Sequence, residues 1–292
     1  MNGNTDLEGG PVVNIVLVNW HGSSDTLRCL QSLQLCTLPT FCVTVVDNSQ
    51  NADGVREVCS NFEFVTYCDS GGNVGFADGC NIGAKVNQVS EYVLFLNNDT
   101  VVSPNFLSPL LLGLENNLEL AACSSRVYYG DHRDSIWFGS SSLDYSNGTA
   151  VHVEPDEQEV SVVPWLSGCC LMMRNSVFQR VNGFDGRYFT YWEDVDLSIR
   201  LTRLGYKLAV VSSSHIYHYV SSSSSKVSFT TTYRYWRNRL WLVRSHNDLF
   251  GNRVILNVVI DLIRHSYRDA VRTKNPRIIP CYCAALLAGL IN

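Results

Sequence analysis

Apolar positions in the first hundred residues follow two alternating rhythms. Residues 12–18, Val-Val-Asn-Ile-Val-Leu-Val, form a nearly unbroken apolar run, the pattern of a strand buried on both faces. Residues 24–35 instead carry Leu27, Leu30 and Leu33 at helical spacing. A strand over 41–46, a short helix, a strand over 62–67, a helix over 77–88 and a strand over 91–96 continue the alternation. Strands and helices alternating through short connections predict an α/β fold with a doubly wound, mostly parallel sheet. Ligands bind such sheets beyond the carboxyl ends of the strands. The polar clusters at 19–21, 47–49 and 97–100 all fall at those ends.

The second half is less regular. Residues 130–158 are polar and rich in Gly and Ser, which predicts a hairpin or loop excursion. A strand containing Trp165 and Gly168 is expected within 160–173, followed by a helix over 175–181. From Val195 the apolar positions run through Leu197, Ile199, Leu201 and Leu204 with Arg200 and Arg203 between them, an amphipathic helix stopped at Gly205. A strand over 207–211 leads to His215-Ile216-Tyr217-His218, and the serine run 221–225 reads as a loop. Residues 231–292 look helical and carry a series of arginines from Arg234 to Arg272. The expected organisation is a disordered tail over 1–11, one main domain over 12–230 and a helical extension over 231–292.

Composition narrows the class. Of 292 residues, 46% are hydrophobic and 17% charged, as in a globular protein with a sizeable core. A net charge of −5 leaves no basic surplus for phosphates, which argues against nucleic acid as the main partner. The eleven cysteines show no metal-ligand spacing, since Cys169 and Cys170 are adjacent and Cys281-x-Cys283 is too tight for a zinc knuckle. Free thiols in a reducing compartment are expected. The first ten residues are polar and acidic, unlike a signal peptide, and no segment reaches the ~18 apolar residues of a bilayer span. The expected location is cytoplasmic. Three roles are open to the shorter apolar stretches 254–263 and 278–291: core helices, helices on a membrane surface, or a homodimer contact.

Charge is most concentrated at Trp192-Glu193-Asp194-Val195-Asp196, with three carboxylates in four positions at a predicted helix start. Free N–H groups and the macrodipole favour negative charge there. The cluster is either an ordinary acidic first turn or a site that keeps a carboxylate ionised and able to take a proton. Asp99 follows the buried run Leu94-Phe95-Leu96, as a turn former or as a ligand, because an unpaired carboxylate there is costly. Gly75, Gly79 and Gly83 recur every four residues without the G-x-G-x-x-G fingerprint, leaving a bare helix face for a strand or a ligand. His215 and His218 flank a late strand on opposite faces, so one ion does not take both.

Taken in order, these motifs resemble the inverting glycosyltransferases of the large GT-A-fold family 2, in their rhamnosyltransferase-like and galactofuranosyltransferase-like branches. The resemblance runs over roughly residues 12–248. It rests on Val18-Asn19-Trp20, Val46-Asp47-Asn48-Ser49, the run 72–77 with Asn81, and Leu96-Asn97-Asn98-Asp99-Thr100. It continues through Ser167-Gly168-Cys169-Cys170, Asn182-Gly183-Phe184-Asp185, the run 192–197, Tyr217-His218 and Arg237-Asn238-Arg239-Leu240. The resemblance implies a Rossmann-like nucleotide-binding half and an acceptor half. Asn97-Asn98-Asp99 would stand at the family's Asp-x-Asp metal motif, with Asn97 in place of the first acid. Asp99 and His218 would then hold Mg²⁺ or Mn²⁺, a ligand chemistry that suits either ion. The resemblance further implies Asp194 as catalytic base, Glu193 as the group positioning hydroxyls, Trp192 as an acceptor platform and Asp196 as the helix cap. Asn19, Asp47, Asn73, Gly75, Asn97, Asn98 and Asp99 would contact the nucleotide sugar. Arg237 and Arg239 would hold phosphate or the Glu193 region.

The donor favoured by this resemblance is dTDP-L-rhamnose, ahead of UDP-galactofuranose or a UDP-hexose. The implied acceptor is a glycan or lipid-linked glycan of surface polysaccharide synthesis, met at the inner face of the cytoplasmic membrane. A sugar nucleotidyltransferase shares the fold, nucleotide and metal but usually carries a basic Gly-rich loop after its first strand. Asn19-Trp20-His21-Gly22-Ser23-Ser24 has no Lys or Arg. A non-catalytic sugar-binding relative is opposed by the presence of both Asp99 and Asp194.

Overall fold

The computed structural model describes residues 12–36, 39–220 and 228–291; the expected tail 1–11 and the serine run 221–225 lie outside the described residues. Strands β1 (Val13–Asn19), β2 (Phe41–Asp47), β3 (Val65–Asp69) and β4 (Tyr92–Leu96) run parallel in the order β4-β1-β2-β3. Helices α1 (Ser23–Leu33), α2 (Val55–Cys59) and α3 (Gly75–Val86) make the crossovers. β4 is buried along its whole length, as its unbroken apolar run requires. The bare face of α3 lies on the sheet: a Cβ on Gly83 would collide with Val16 and Val46, and one on Gly79 would lie 2.9 Å from Val18.

The other half of the sheet was less legible. β6 (Leu120–Tyr129), reached through β5 (Thr100–Val102) and α4 (Leu107–Glu115), has no counterpart among the predicted elements. Its small residues Ala121, Ala122, Cys123, Ser124 and Ser125 carry neither rhythm, yet all are buried at the sheet's centre. The strand expected within 160–173 is two strands, β10 (Val160–Val162) and β11 (Cys170–Arg174), joined by a loop containing Trp165 and Gly168. β11 runs antiparallel between β4 and β6. β12 (Lys207–His218) outruns the expected 207–211. A register irregularity between Val211 and His215 lets it continue beside β6. Its far end pairs antiparallel with β5, His218 opposite Thr100. The excursion over 130–158 is present as β7 (Ile136–Phe138) on β6 and the hairpin β8 (Ser141–Asp144) with β9 (Thr149–His152).

After α5 (Asn175–Arg180) and α6 (Glu193–Arg203), the chain ends in α7 (Phe229–Ser245), α8 (Asn247–Phe250), α9 (Asn252–Thr273) and α10 (Ile279–Ile291). Trp236, Val258 and Tyr282 of these helices join the core that holds the sheet. The eleven cysteines are free. Among the described residues, no helix is long and apolar enough to cross a membrane.

Candidate active site

The pairing of β5 with β12 brings Asp99 and His218 together from distant parts of the chain. Asp99 Oδ1 lies 3.0 Å from His218 Nε2, and Tyr219 N donates to the Asp99 carbonyl at 2.9 Å. The side-chain pair is not aligned as a hydrogen bond: Asp99 Oδ1 and His218 Nδ1 are both buried without a hydrogen-bond partner. The unserved Asp99 oxygen beside His218 Nε2 suits a shared cation. Among the described residues no third His, Cys, Asp or Glu joins them. The pair could hold Mg²⁺ or Mn²⁺ only if oxygen ligands from elsewhere completed the shell.

The backbone before α6 is strained. Phe189, Tyr191 and Trp192 all have left-handed φ, at 66°, 70° and 75°, each costing ~1–3 kcal/mol for a bulky residue. External contacts hold it. Asn238 of α7 donates through Nδ2 to the carbonyls of Tyr188, Thr190 and Tyr191 at 2.8, 2.9 and 2.8 Å. Arg237 donates to the Arg187 and Tyr188 carbonyls at 2.8 and 3.2 Å. Gly75, itself at φ +86°, fits against Phe189, whose carbonyl a Cβ there would meet at 2.5 Å. Of the two roles open to Arg237 and Arg239, the first residue holds the segment before Glu193. Arg239 is buried against the Gly148 and Asn147 carbonyls and Asp261.

That strained entry aims the acidic cluster. Asp194 Oδ2 accepts from Gly168 N at 3.0 Å and Oδ1 from Val195 N at 2.8 Å. Burial pushes the Asp194 carboxyl up, while these N–H groups and His152 pull it back. Glu193 is pushed well above the carboxylate range by burial, and then by the Asp194 charge. Its Oε2 has no partner. Of the two neighbours, Asp194 has the N–H groups that favour a carboxylate and Glu193 lacks them, so Glu193 is the one better suited to hold a proton. The expected cap role of Asp196 is incorrect. Trp192 stands at the N-cap with no side-chain cap hydrogen bond. One turn on, Asp196 is buried in a bridge to Arg200 at 2.7 Å and His246 at 2.9 Å. Burial raises the Asp196 carboxyl, but those two partners overcome it and hold the group below its ordinary range.

Asn97, His218, Trp192, Glu193 and Asp194 line one cavity of about 470 Å³. Trp137, His152, Trp165 and Tyr235 complete an aromatic wall that the sequence did not announce. His152 Nδ1 lies 2.7 Å from the Trp137 carbonyl. A carbonyl only accepts, so Nδ1 carries the proton and Nε2 keeps its lone pair. Burial lowers this imidazole's pKa, against the Trp137 carbonyl and Asp194, which favour the charged form.

The remaining predicted contacts brace the strand ends. Asn19 is buried and accepts from Gly22 N at 3.2 Å and Thr26 Oγ1 at 3.1 Å. Its Nδ2 donates to Asp47 at 3.3 Å and to Asp53 at 3.1 Å. Asp47 is fully buried and receives Ser49 N, Asn51 N and the Tyr67 hydroxyl. Burial raises its carboxyl, but this set of donors holds it below the ordinary range. Asn98 donates to Thr26 Oγ1 at 2.9 Å, away from the cavity. Asn73 Oδ1 accepts from Gly75 N at 3.1 Å in an exposed turn. Asp53, which sequence reasoning missed, ties Ser23 N and Ser49 Oγ into the same brace.

The pinned carboxylate of Asp194 and His218 thus line one cavity, with Asp99 beside His218 and the strand-end brace outside the lining. The sequence model for glycosyl transferase family 2 matches residues 15–181, more than half of the chain. This chain belongs to glycosyl transferase family 2. A second model, the N-terminal domain of galactosyltransferase, matches residues 159–222 and so includes Asp194 and His218. Rhamnosyltransferase WbbL of Escherichia coli K12 is 27% identical over 260 residues, 83% of this chain and 96% of that protein. The N-acetylglucosaminyl-diphospho-decaprenol L-rhamnosyltransferase of Mycobacterium tuberculosis is 25% identical over 245 residues, 74% of this chain and 78% of that protein. The chain is a glycosyltransferase of the hexosyltransferase class, and polysaccharide biosynthesis is the setting its relatives share. Its fold matches a GalNAc-T7 structure with UDP, GalNAc and Mn²⁺ at a TM-score of 0.68 and 16% identity, over 81% of this chain and 48% of that one. It also matches the mannosyltransferase PcManGT of Pyrobaculum calidifontis with GDP-Man and Mn²⁺, at 0.60 and 14%, over 97% and 78%. These similarities show the GT-A fold.

Proposed function

We propose that this glycosyltransferase is an inverting, divalent-cation-dependent rhamnosyltransferase that uses dTDP-L-rhamnose and glycosylates a hydroxyl of a glycan or lipid-linked glycan. The observation that carries the reading is the position of Asp194: one carboxylate oxygen held by Gly168 N–H at 3.0 Å, in the cavity that His218 also lines. An acceptor hydroxyl in hydrogen-bond reach of Asp194 passes its proton there as its oxygen attacks the anomeric carbon. The C–O bond to the donor diphosphate breaks as the new one forms, which inverts the centre in one step. Mg²⁺ or Mn²⁺ bound at Asp99 and His218 would neutralise the charge growing on that diphosphate. Glu193 stays neutral and can donate its proton as a hydrogen bond to a sugar hydroxyl. Trp192 and Tyr235, 5.4 Å apart between ring centroids, offer apolar faces for a sugar ring.

The rhamnosyl donor is supported by the activities for which the Escherichia coli and Mycobacterium tuberculosis relatives are named; the diphospho-decaprenol acceptor in the second name also supports a lipid-linked acceptor. A hexosyl donor such as UDP-galactofuranose is the second reading, favoured by a 27% identical hexosyltransferase, Agl10 of Haloferax volcanii. A thermal-shift panel of dTDP-rhamnose, UDP-galactofuranose and UDP-hexoses, each with and without Mn²⁺, tests both. A donor at ~100 times its Kd stabilises the fold by about 2.7 kcal/mol. Largest stabilisation by a UDP-sugar would replace the rhamnosyl reading. Stabilisation by none of them would remove both.

A further inference from the structure

Exposed large apolar side chains are scattered singly over most of the molecule, as at Leu35, Val89, Leu118 and Val162, which is ordinary. On α9 they form a row. Leu256, Ile260, Ile263, Tyr267 and Val271 are 37–73% exposed. Their spacing of three and four residues keeps all five within about 80° of arc at ~100° per residue. The opposite side of the helix is committed to the core through Val254, Val258, Leu262 and Ser266. The exposed row is therefore not the face that folding buries.

Charge flanks the row on one side. By the same helical geometry Arg264, Arg268 and Arg272, all exposed, fall next to it in that order. Beyond them lie Asp261, His265 and Asp269, which line a second cavity of about 590 Å³ together with Tyr191 and Tyr235 of the catalytic cavity wall. Residues 252–291 hold six basic side chains against two carboxylates, in a chain whose net charge is −5. A basic surplus in the segment that carries the exposed apolar row, continuing that of α7 before it, is the pattern of a helix lying in an anionic lipid interface.

We propose that α9 docks this protein on anionic membrane surfaces. Leu256, Ile260, Ile263, Tyr267 and Val271 enter the headgroup–acyl boundary, and Arg264, Arg268 and Arg272 pair with lipid phosphates. Among the described residues no helix can span the bilayer, so the contact is peripheral and reversible. It sets the second cavity beside the lipid plane. The proposal does not depend on which donor or acceptor the enzyme uses.

Vesicle flotation of the full chain tests it. Binding is expected to vesicles with about a third phosphatidylglycerol, to be weak on pure phosphatidylcholine, and to fall at about 1 M salt, where the screening length is ~3 Å. Ile263→Asp/Tyr267→Asp should lower partitioning at least ~10-fold through the lost apolar contact, and Arg264→Glu/Arg268→Glu should abolish the preference for anionic lipid. All four positions are exposed, so circular dichroism and donor-induced thermal shift should be unchanged in both variants. Absence of wild-type binding, or binding indifferent to both variants, overturns the proposal. So does a lipid-free dimer that Ile263→Asp/Tyr267→Asp converts to monomer while vesicles bind neither form; the row would then be a contact between copies.

Discussion

Asp99 Oδ1 and His218 Nε2 sit 3.0 Å apart without sharing a hydrogen bond. Burying that carboxylate oxygen unserved is costly unless a third group completes it. If that group is a cation, His218→Ala should weaken Mn²⁺-dependent donor binding at least ~10-fold while the apo fold stays intact, and EDTA should reproduce the loss. Isothermal titration of Mn²⁺ with nucleotide diphosphate measures this. Unchanged Mn²⁺ dependence in the variant would show that the pair does not bind the ion.

Asp194 is fixed by Gly168 N and Val195 N, so its carboxylate is oriented before any acceptor arrives. Asp194→Asn keeps the shape and removes the base. Turnover should drop by ~10²–10⁴, with the donor-induced thermal shift preserved. Because burial raises this carboxyl, the acid limb of kcat/KM should lie above the ordinary aspartate value of ~3.9, with activity lost as pH falls through it. A limb at or below that value, or an active Asp194→Asn enzyme, refutes the assignment.

Glu193 makes a separate, thermodynamic prediction. Its folded pKa is raised by burial and then by Asp194, and its Oε2 has no partner. Below the unfolded pKa of ~4.3 both states are protonated and nothing is lost. As pH rises past that value the unfolded chain ionises first, so the native state is destabilised until its own pKa is reached. Glu193→Gln removes this loss. The variant should melt about 2 °C or more above wild type at pH 7 and together with it near pH 4. Equal melting temperatures at both pH values would mean Glu193 ionises freely in the folded protein.

The difference between what could and could not be read in advance is physical. β1 and β4 announced themselves because strands covered on both faces must be apolar throughout, and Asp99 was legible as a polar residue just past such a strand. β6 was not, since its run of Ala, Cys and Ser fits between β11 and β12 through smallness instead of hydrophobicity. Asp194 was visible as charge, whereas its partner Gly168 and its neighbours Trp137 and His152 come from loops and short strands with no period. Asp196 misled because position near a helix start says nothing about His246, which reaches it from the turn after α7. The left-handed backbone at Phe189, Tyr191 and Trp192 had no local signal, since none of these residues prefers that conformation.

That strained segment gives the last prediction, through Asn238. One buried amide nitrogen serves three carbonyls, those of Tyr188, Thr190 and Tyr191, and so fixes the backbone that delivers Glu193 and Asp194 to the cavity. Asn238 does not itself line the cavity but holds Thr190 and Tyr191, which do; its role is positioning. Asn238→Ala should lower kcat by ~10–100-fold, because small misplacement of a base costs that much. The lost hydrogen bonds should destabilise the fold by ~1–3 kcal/mol. Asn238→Asp should be no better, since a carboxylate cannot donate to carbonyls and would face three of them. The hydrogen bonds of the strand-end brace around Asn19 do not involve Asn238, so donor-induced thermal shift should be retained in both variants. The deciding measurement is kcat at a temperature where each variant is fully folded. If it stays within about twofold of wild type, Asn238 holds the fold together without aiming the base.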